Sequence, residues 1–370
     1  MIRFIATMLL ALCVVLPPAA HAAEGEQLIA EYGLREAPEP VAKRAGWRVP
    51  QRILVDAGVP GLVEGLRQVA PRLNIVAVQT IAEMVTAAPG ADAAIGRTAF
   101  VCDDAVLAAG KQLRWLQTVY AGVELCAGKR AFAERGILLT NMRAIAGPVI
   151  AEHTLAMLFA LTRGLQVSIP RQAAGDWNPD YPGARLVALQ GKTMLVVGLG
   201  GIGGEIARRA NALGMRVIAT RATPQPRPAF VDYVGTPEEL ATLVGQADVV
   251  VNAAPLTPAT RGVFDAKMFA RMKPAAYFLN VARGAAVVTA DLIAALETQR
   301  IAGAGLDVTE PEPLPKDHPL WRAPNLIIPP HLAGQSDLGI EPEVRVVREN
   351  LRRYIAGERM LSVVDLTRGY

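Results

Sequence analysis

The feature of this sequence that most constrains its fold is a glycine-rich segment, Gly198-Leu199-Gly200-Gly201-Ile202-Gly203-Gly204. It follows the apolar run 194–197 and precedes a helical pattern over residues 205–210. Strand, glycine turn and helix in this order, with the spacing G-x-G-x-x-G, are what a dinucleotide-binding unit requires. The glycines permit the tight turn, the approach of backbone to a pyrophosphate and the close packing of helix on strand. We therefore predict cofactor contacts at Gly198, Gly200, Gly201, Ile202 and Gly203.

Short apolar strands alternate with helical patterns on both sides of this segment. At 370 residues the chain is too long for one core. The predicted strands of the first half cover residues 53–55, 74–78, 93–95, 116–119 and 138–141. A long apolar helix over 148–163 separates them from a second series, 194–197, 217–219, 249–251, 277–280, 303–307 and 325–328. The expected fold is α/β, with two Rossmann-like lobes built on doubly wound parallel sheets, and a last helix over 341–356 that returns to the first lobe.

The N-terminus has the pattern of a secretory signal peptide. Arg3 precedes residues 4–16, which are apolar except for Thr7, and Ala20-His21-Ala22 supplies an A-x-A cleavage signal. We predict that residues 1–22 are removed and that the protein is exported to the periplasm. A cytoplasmic protein is the alternative, if the true start lies further along the chain. Residues 23–50 are polar and contain prolines, and they are predicted to be a surface arm or linker.

Beyond the signal peptide the chain holds two cysteines, Cys102 and Cys126. In an oxidising compartment they could form a disulfide, and two separate buried thiols fit the sequence equally well. The formal net charge of +4 is not concentrated in any basic run, so nucleic-acid binding is not expected. No metal site is expected either.

The second strand of the dinucleotide unit ends in a basic rather than an acidic segment. Thr220, Arg221 and Thr223 follow the predicted strand 217–219, and no Asp or Glu occurs in residues 206–231. An NAD-binding unit usually carries an acid here for the ribose hydroxyl, whereas an arginine suits the 2′-phosphate of NADP. The sequence favours NADPH over NADH, with Thr220 and Arg221 as cofactor contacts. A surface arginine without a ligand is the alternative.

Three polar patches each follow a predicted strand of the second lobe. They cover residues 280–284, 306–313 and 329–334. Because the carboxyl ends of parallel strands meet at one edge of a sheet, the patches are expected to lie together where the nicotinamide end of a cofactor lies. Singly, Arg283, Glu312 and His331 could be an ordinary surface charge, a loop carboxylate and a turn histidine.

Taken together, these motifs resemble the D-isomer-specific 2-hydroxyacid dehydrogenase family. The resemblance runs from about residue 50 to the end, and it includes Ala151-Glu152-His153 and the segments 189–193, 280–284, 307–313, 330–334 and 363–365. It implies a cofactor domain, 154–336, inserted in a discontinuous flavodoxin-like substrate domain, 51–153 plus 337–370. It also implies a homodimer.

The resemblance places the family's catalytic residues on Arg283, Glu312 and His331. Arg283 would bind the carboxylate and keto oxygen of the substrate. His331 would donate a proton to that oxygen, and Glu312 would hold the imidazole and favour its cationic form. Glu310 is the rival carboxylate, but the family's glutamate lies five residues after the aspartate that matches Asp307, which favours Glu312.

The resemblance also implies binding residues outside these three. Backbone N–H groups of the loop Tyr120-Ala121-Gly122-Val123 would take the substrate carboxylate, with Arg283 as a further substrate contact. Asp307 would contact the nicotinamide amide. Pro255 and Ala282 complete the expected cofactor contacts.

The function that these residues imply is hydride transfer between NAD(P)H and a small 2-oxo acid, such as glyoxylate or hydroxypyruvate, which yields a D-2-hydroxy acid. Formate dehydrogenases share the fold, but they carry glutamine at the position of Glu312. The alternative is a cofactor-binding sensor or interaction protein without physiological turnover, because fold alone does not fix function. The predicted export weighs against the enzyme hypothesis, because NADPH is scarce outside the cytoplasm and a chain that is exported unfolded carries no cofactor with it.

Overall fold

The computed structural model of this protein describes residues 18–178 and 186–366, with side chains from residue 24 onward. The predicted signal peptide lies mostly outside the described residues. The first described element is helix α1 (Pro18–Tyr32), and the predicted cleavage point after Ala22 falls inside it.

The first lobe is built on a parallel five-stranded sheet with the order β2-β1-β3-β4-β5. Its strands are β1 (Arg52–Asp56), β2 (Asn74–Val78), β3 (Ala93–Gly96), β4 (Trp115–Thr118) and β5 (Leu138–Thr140). The helices between them are α2 (Leu62–Val69), α3 (Ile81–Ala87), α4 (Thr98–Val101), α5 (Asp104–Ala109) and α6 (Arg130–Arg135). This is the flavodoxin-like strand order, which the resemblance implied.

Two helices follow the first sheet, α7 (Gly147–Thr162) and α8 (Leu165–Ala173). Helix α7 begins next to Pro148, whose fixed φ suits the first turn of a helix. Leu158 and Leu161 of α7 are buried in the core of the second lobe. The apolar composition that predicted a buried helix is explained by this packing. The predicted domain boundary after residue 153 falls inside α7.

The second lobe is built on a parallel seven-stranded sheet with the order β12-β11-β10-β9-β6-β7-β8. Its strands are β6 (Thr193–Val197), β7 (Arg216–Thr220), β8 (Tyr233–Gly235), β9 (Val249–Asn252), β10 (Tyr277–Asn280), β11 (Gly303–Leu306) and β12 (Leu326–Ile327). Its helices are α9 (Gly201–Ala212), α10 (Leu240–Leu243), α11 (Ala266–Arg271) and α12 (Thr289–Glu297). The strand order reverses between β6 and β9, and this crevice at the carboxyl ends is where dinucleotides bind in such sheets.

The last helix, α13 (Glu341–Ala356), returns to the first lobe. Its residues Val344, Val347 and Leu351 share a hydrophobic core with Leu62 and Leu66 of α2. The first lobe is therefore discontinuous in sequence, and the α/β fold with two doubly wound lobes is confirmed.

The segment before β1 differs from the surface arm that the sequence suggested. Leu28, Leu34 and Val41 are buried in the core of the first lobe, and Ala37 N donates to Met360 O at 2.7 Å. The prediction rested on polar composition, but a few apolar side chains at irregular spacing are enough to bind the segment to α13. Residues 24–50 therefore pack as part of the first lobe.

Cys102 and Cys126 form a disulfide in the first lobe, with Cα atoms 5.2 Å apart. Both residues are buried in the core on one face of the five-stranded sheet. The sequence left two possibilities open for these residues, and the structure contains the bonded form.

Candidate active site

The glycine-rich turn lies between β6 and α9, at the crevice of the second sheet. Gly198 has a φ of +92°, and a Cβ there would lie 2.6 Å from Ala254 Cα. A Cβ on Gly203 would overlap the carbonyl oxygen of Gly198. A Cβ on Gly201 would lie 2.6 Å from Ala144 Cβ. A Cβ on Gly200, by contrast, would meet only Arg143 Nη2, at 3.7 Å. The turn is therefore closed on the protein side and open where a pyrophosphate would approach.

The end of β7 supports this turn. The carbonyl of Thr220 accepts hydrogen bonds from Gly198 N at 3.1 Å and Leu199 N at 2.9 Å. Thr220 is buried, so its visible role is to hold the turn. Ile202 is half-buried in the first turn of α9.

Arg221 follows β7 directly and is half-buried. Its Nη2 donates to the carbonyl of Gln225, and its Nε is buried without a partner among the described residues. Burial lowers the pKa of the Arg221 guanidinium, and the nearby charge of Arg35 lowers this pKa further. A partly desolvated cation with an unused donor is suited to an anionic ligand.

A cavity of about 670 Å³ extends from the glycine turn to Arg221. The second lobe contributes the turn, the start of α9 and the loop after β7. The first lobe contributes the segments 30–38 and 362–365 and also Arg143 and Ala144. Its position at the end of β7 is that of the adenosine half of a dinucleotide.

Arg283 is held at the carboxyl end of β10 by a buried amide network. Asn280 Nδ2 donates to the carbonyl of Arg283 at 2.9 Å, and Asn280 Oδ1 accepts from Ala282 N at 3.1 Å. Gly284, the next residue, has no room for a Cβ because the Thr309 backbone lies against it. The backbone of the turn is fixed by these contacts, while the Arg283 side chain projects into the space between the lobes.

The guanidinium of Arg283 binds a carboxylate of the first lobe. Its Nε lies 2.8 Å from Glu124 Oε1, and its Nη2 donates to Glu124 Oε2 at 3.4 Å. A Cβ on Gly122 would overlap Arg283 Nη2 and crowd Glu124 Oε2, so a larger residue there would push the ends of these two side chains aside. The fork of Arg283 is therefore already in a geometry that holds a carboxylate.

The loop 120–123 presents backbone N–H groups beside this arginine. The carbonyl of Ala121 accepts from Asn141 Nδ2 at 2.7 Å, and the carbonyl of Gly122 accepts from Thr98 Oγ1 at 3.1 Å. Within residues 18–178 and 186–366, no hydrogen bond uses the N–H of Ala121 or Gly122. These donors are available for an anion. Tyr120 is exposed and Val123 is buried.

His331 and Glu312 contact each other on two loops that follow β11 and β12. His331 Nδ1 lies 2.9 Å from Glu312 Oε2, and the two side chains are 53% and 37% exposed. Glu312 Oε1 in turn accepts from Thr309 N at 2.8 Å. It is Glu312, and not the rival Glu310, that makes this contact. A carboxylate on Nδ1 fixes the ring and leaves Nε2 for a reacting group.

Asp307 holds the His331 loop in place. Its Oδ1 accepts from Leu332 N at 2.8 Å and from Ala333 N at 3.1 Å, and His331 N donates to the Asp307 carbonyl at 2.9 Å. Asp307 is buried, so its observed contacts are with this loop. His153 of α7, which was not singled out as a site residue, has its Nε2 3.4 Å from Asp307 Oδ1.

The remaining expected cofactor contacts lie along the same sheet edge. Pro255 is exposed beyond β9, and its carbonyl accepts from Thr260 Oγ1 at 2.7 Å. Ala282 is buried, and its carbonyl accepts from Arg283 Nη1 at 2.6 Å. In the described ranges, no cluster of three or more His, Cys, Asp or Glu side chains is arranged to hold a metal ion. None of the helices there has the length and apolar character to cross a membrane.

Glu124 and Arg35 also lie at the site, although no pattern in the sequence singled them out. Glu124 directly follows the predicted substrate loop 120–123, and this position could have marked it as a candidate site residue. Arg35 lies in the segment that was assigned to a surface arm, and its Nη2 donates to Gln225 Oε1 in the second lobe at 2.6 Å.

The fold and the site are typical of an oxidoreductase that uses a nicotinamide dinucleotide. The family model described as D-isomer specific 2-hydroxyacid dehydrogenase, NAD binding domain, matches residues 155–333. Human glyoxylate reductase/hydroxypyruvate reductase is 34% identical over 264 residues, which cover 70% of this chain and 79% of that protein. The chain belongs to the D-isomer-specific 2-hydroxyacid dehydrogenase family and is an NAD(P)-dependent enzyme of that class.

Two solved structures extend the comparison to most of the chain. A D-isomer specific 2-hydroxyacid dehydrogenase family protein from Aeromonas salmonicida has a TM-score of 0.73 and 31% identity, and the match covers 85% of this chain and 99% of that one. A D-isomer specific 2-hydroxyacid dehydrogenase from Xanthobacter autotrophicus, solved with NADPH and MES, has a TM-score of 0.72 and 27% identity. That match covers 87% and 100% of the two chains.

Proposed function

We propose that this protein uses NADPH to reduce a small 2-oxo acid, of the size of glyoxylate or hydroxypyruvate, to a D-2-hydroxy acid. The observation that carries the proposal is the fork of Arg283, which holds a carboxylate beside the unused N–H groups of Ala121 and Gly122. The human relative, named for glyoxylate and hydroxypyruvate, supports the substrate size.

Each residue of the site has one task in this reaction. Arg283 and the loop 120–123 bind the substrate carboxylate and orient the keto group. His331, with Nδ1 held by Glu312, donates the proton from Nε2 to the keto oxygen, which becomes the hydroxyl. The bound nicotinamide supplies the hydride to C2. The substrate gains one hydride and one proton, so the step balances.

The glycine turn and Arg221 fit the cofactor. The open face of Gly200 and the N-terminus of α9 suit a pyrophosphate, and the unused Nε of Arg221 suits a 2′-phosphate. The NADPH complex of the Xanthobacter relative supports the same preference.

The test is spectrophotometric measurement of NADPH and NADH oxidation over a panel of 2-oxo acids. We expect turnover of the smallest acids, a higher kcat/KM with NADPH, and a loss of roughly 100-fold or more in Arg283→Gln and His331→Gln. Turnover that is insensitive to both substitutions would exclude this site. Tight cofactor binding without turnover of any acid would favour the sensor alternative.

We also propose that the mature protein works outside the cytoplasm. The disulfide between Cys102 and Cys126 supports this, because such bonds persist in oxidising compartments. N-terminal sequencing of the native protein is expected to find a start at Ala23. A retained Met1, or reduced cysteines in the native protein, would contradict export.

A homodimer is the assembly that we propose. Large apolar side chains are exposed on and after α8, with Leu165 at 43%, Ile169 at 63% and Trp177 at 98% exposure. Exposed apolar groups of this size mark interaction surfaces. Light scattering on the purified protein is expected to give twice the chain mass, and a monomer mass would exclude the dimer.

A further inference from the structure

The N-terminal segment of the first lobe forms one wall of the cofactor cavity. Residues 30–38 line the cavity opposite the loop that follows β7. Two backbone contacts anchor this segment to the C-terminal part of the chain: Ser362 N donates to Arg35 O at 2.9 Å, and Glu36 forms an antiparallel bridge with Leu361. Leu34 is buried beneath it.

From this fixed backbone the side chain of Arg35 crosses the cavity to the second lobe. Its Nη2 donates to Gln225 Oε1 at 2.6 Å, and Gln225 also gives its carbonyl to Arg221. Arg35 of the first lobe and Arg221 of the second lobe therefore both bind Gln225, in the loop that follows β7.

Arg35 lies close enough to Arg221 for its charge to lower the pKa of the Arg221 guanidinium. Among the described residues, no carboxylate lies within 4.0 Å of the charged nitrogens of Arg35 or Arg221. The carboxylates that line the cavity have other partners: Glu31 is paired with Arg345, Glu36 with Arg353, Glu205 with Arg208 and Arg209, and Asp365 also has a partner of its own. Two like charges at one cavity raise the free energy of the empty site, and a bound dianion would lower it.

We propose that Arg35 is the second half of the 2′-phosphate site, so that the adenosine phosphate of NADPH is bound by one arginine from each lobe. This inference rests on the proposed NADPH preference and extends it to a residue of the substrate lobe. The ligand class is an adenosine 2′-phosphate, and an adenosine without that phosphate gains nothing from Arg35.

Calorimetric titration of the purified full chain with adenosine 2′,5′-bisphosphate and with adenosine 5′-monophosphate tests this inference. We expect Arg35→Gln to weaken the bisphosphate about tenfold, which is about 1.4 kcal/mol, and to leave the monophosphate within about twofold. Arg67→Gln removes the same charge from an exposed position on α2 and is the matched control. It should change neither affinity.

Different titration results would contradict the role of Arg35 and the proposed NADPH preference. If the unaltered protein prefers the bisphosphate and Arg35→Gln keeps that preference, the role of Arg35 is overturned while the NADPH preference stands. If the unaltered protein shows no preference, both proposals fail.

A second variant tests whether Arg35 binds the phosphate directly or only holds the loop that follows β7. Gln225→Ala removes the partner of Arg35 but keeps both guanidinium charges. We expect its preference for the bisphosphate to stay within about twofold of the unaltered protein. If Gln225→Ala reproduces the loss seen in Arg35→Gln, Arg35 acts by holding the loop and the proposal is wrong. Arg35→Lys should keep part of the preference, because the charge remains.

Discussion

Arg283 of the second lobe and Glu124 of the first lobe form an ion pair across the active-site crevice, with Nε 2.8 Å from Oε1. In the proposed reaction the same guanidinium binds the carboxylate of the substrate. Glu124 and the substrate therefore compete for one partner, and substrate binding has to displace Glu124. Because of this competition, we expect the protein to bind small carboxylic acids less tightly than Arg283 and the N–H groups of the loop 120–123 would bind them without Glu124.

Glu124→Gln is expected to lower KM for a 2-oxo acid about threefold, with kcat little changed. The pair is about two-fifths exposed, and exposed ion pairs contribute only about 0.2–1 kcal/mol, so the gain is small. Steady-state kinetics with saturating NADPH measure it. A raised KM would show that Glu124 helps to position Arg283 rather than competing with the substrate.

Glu312→Gln is expected to lower kcat/KM by roughly 100-fold, because the amide cannot support a cationic His331 or fix its ring in the same way. The matched control is Glu310→Gln, which changes a neighbouring carboxylate that does not contact His331. The pH profile of kcat distinguishes a positioning role from simple misfolding, because misfolding lowers kcat by the same factor at every pH. Equal losses in the two variants would contradict the assignment of Glu312.

Gly203→Ala and Gly204→Ala form a matched pair in the first turns of α9. A Cβ on Gly203 would overlap the Gly198 carbonyl, whereas a Cβ on Gly204 meets nothing within 4 Å. We expect Gly203→Ala to destabilise the protein by about 1–3 kcal/mol through overpacking and to abolish cofactor binding. Gly204→Ala should instead stabilise α9 by about 0.5–1 kcal/mol. Thermal unfolding measures both, and a stable Gly203→Ala protein that binds NADPH would contradict the close packing.

Much of this fold could be predicted because its signals are local. The glycine turn, the strands around it and the helix Glu341–Ala356 are encoded in short spacings and apolar periodicity. The proximity of His331 and Glu312 could also be anticipated, because patches that follow parallel strands meet at one sheet edge.

The parts that could not be predicted depend on contacts between distant segments. Strand β8 has only three residues, Tyr233–Gly235, at a sheet edge, and so short a run has no clear period. Leu28 is buried in a core that it shares with Val344 and Leu351 of α13, more than three hundred residues later in the chain. Arg35 and Glu124 reach the other lobe, and no spacing along the sequence records how two lobes face each other.

The double variant Cys102→Ala, Cys126→Ala is expected to lower the free energy of unfolding by about 3 kcal/mol. The bond closes a loop with a sequence separation of 24, and loops of this length give about this stabilisation by restricting the unfolded chain. Denaturant unfolding with and without reductant measures it. Reductant should destabilise the unaltered protein and leave the variant unchanged, and equal sensitivity of the two would show that the disulfide does not form in solution.

Glu343→Gln is expected to stabilise the protein at neutral and alkaline pH and to have no effect in acid. Burial raises the pKa of Glu343 above its ordinary value of 4.5, and its Oε2 has no partner in the described part of the chain. Arg345, on the same helix, pairs with Glu31 instead. The pKa of Glu343 is higher in the folded protein than in the unfolded chain. The unaltered protein therefore has its full stability at a pH below the unfolded pKa, and it loses stability as the pH rises through the folded pKa.

The expected gain for Glu343→Gln is about 1 kcal/mol near pH 8, because the neutral amide has no charge to desolvate, and it is close to zero near pH 4, where the carboxyl is also neutral. Denaturant unfolding across this pH range measures it. Glu341→Gln, at an exposed position in the first turn of the same helix, is the control and should show no gain at either pH. A Glu343→Gln protein that is less stable at alkaline pH would show that the carboxylate has a favourable partner in solution, because only such a partner can reverse the sign of the desolvation cost.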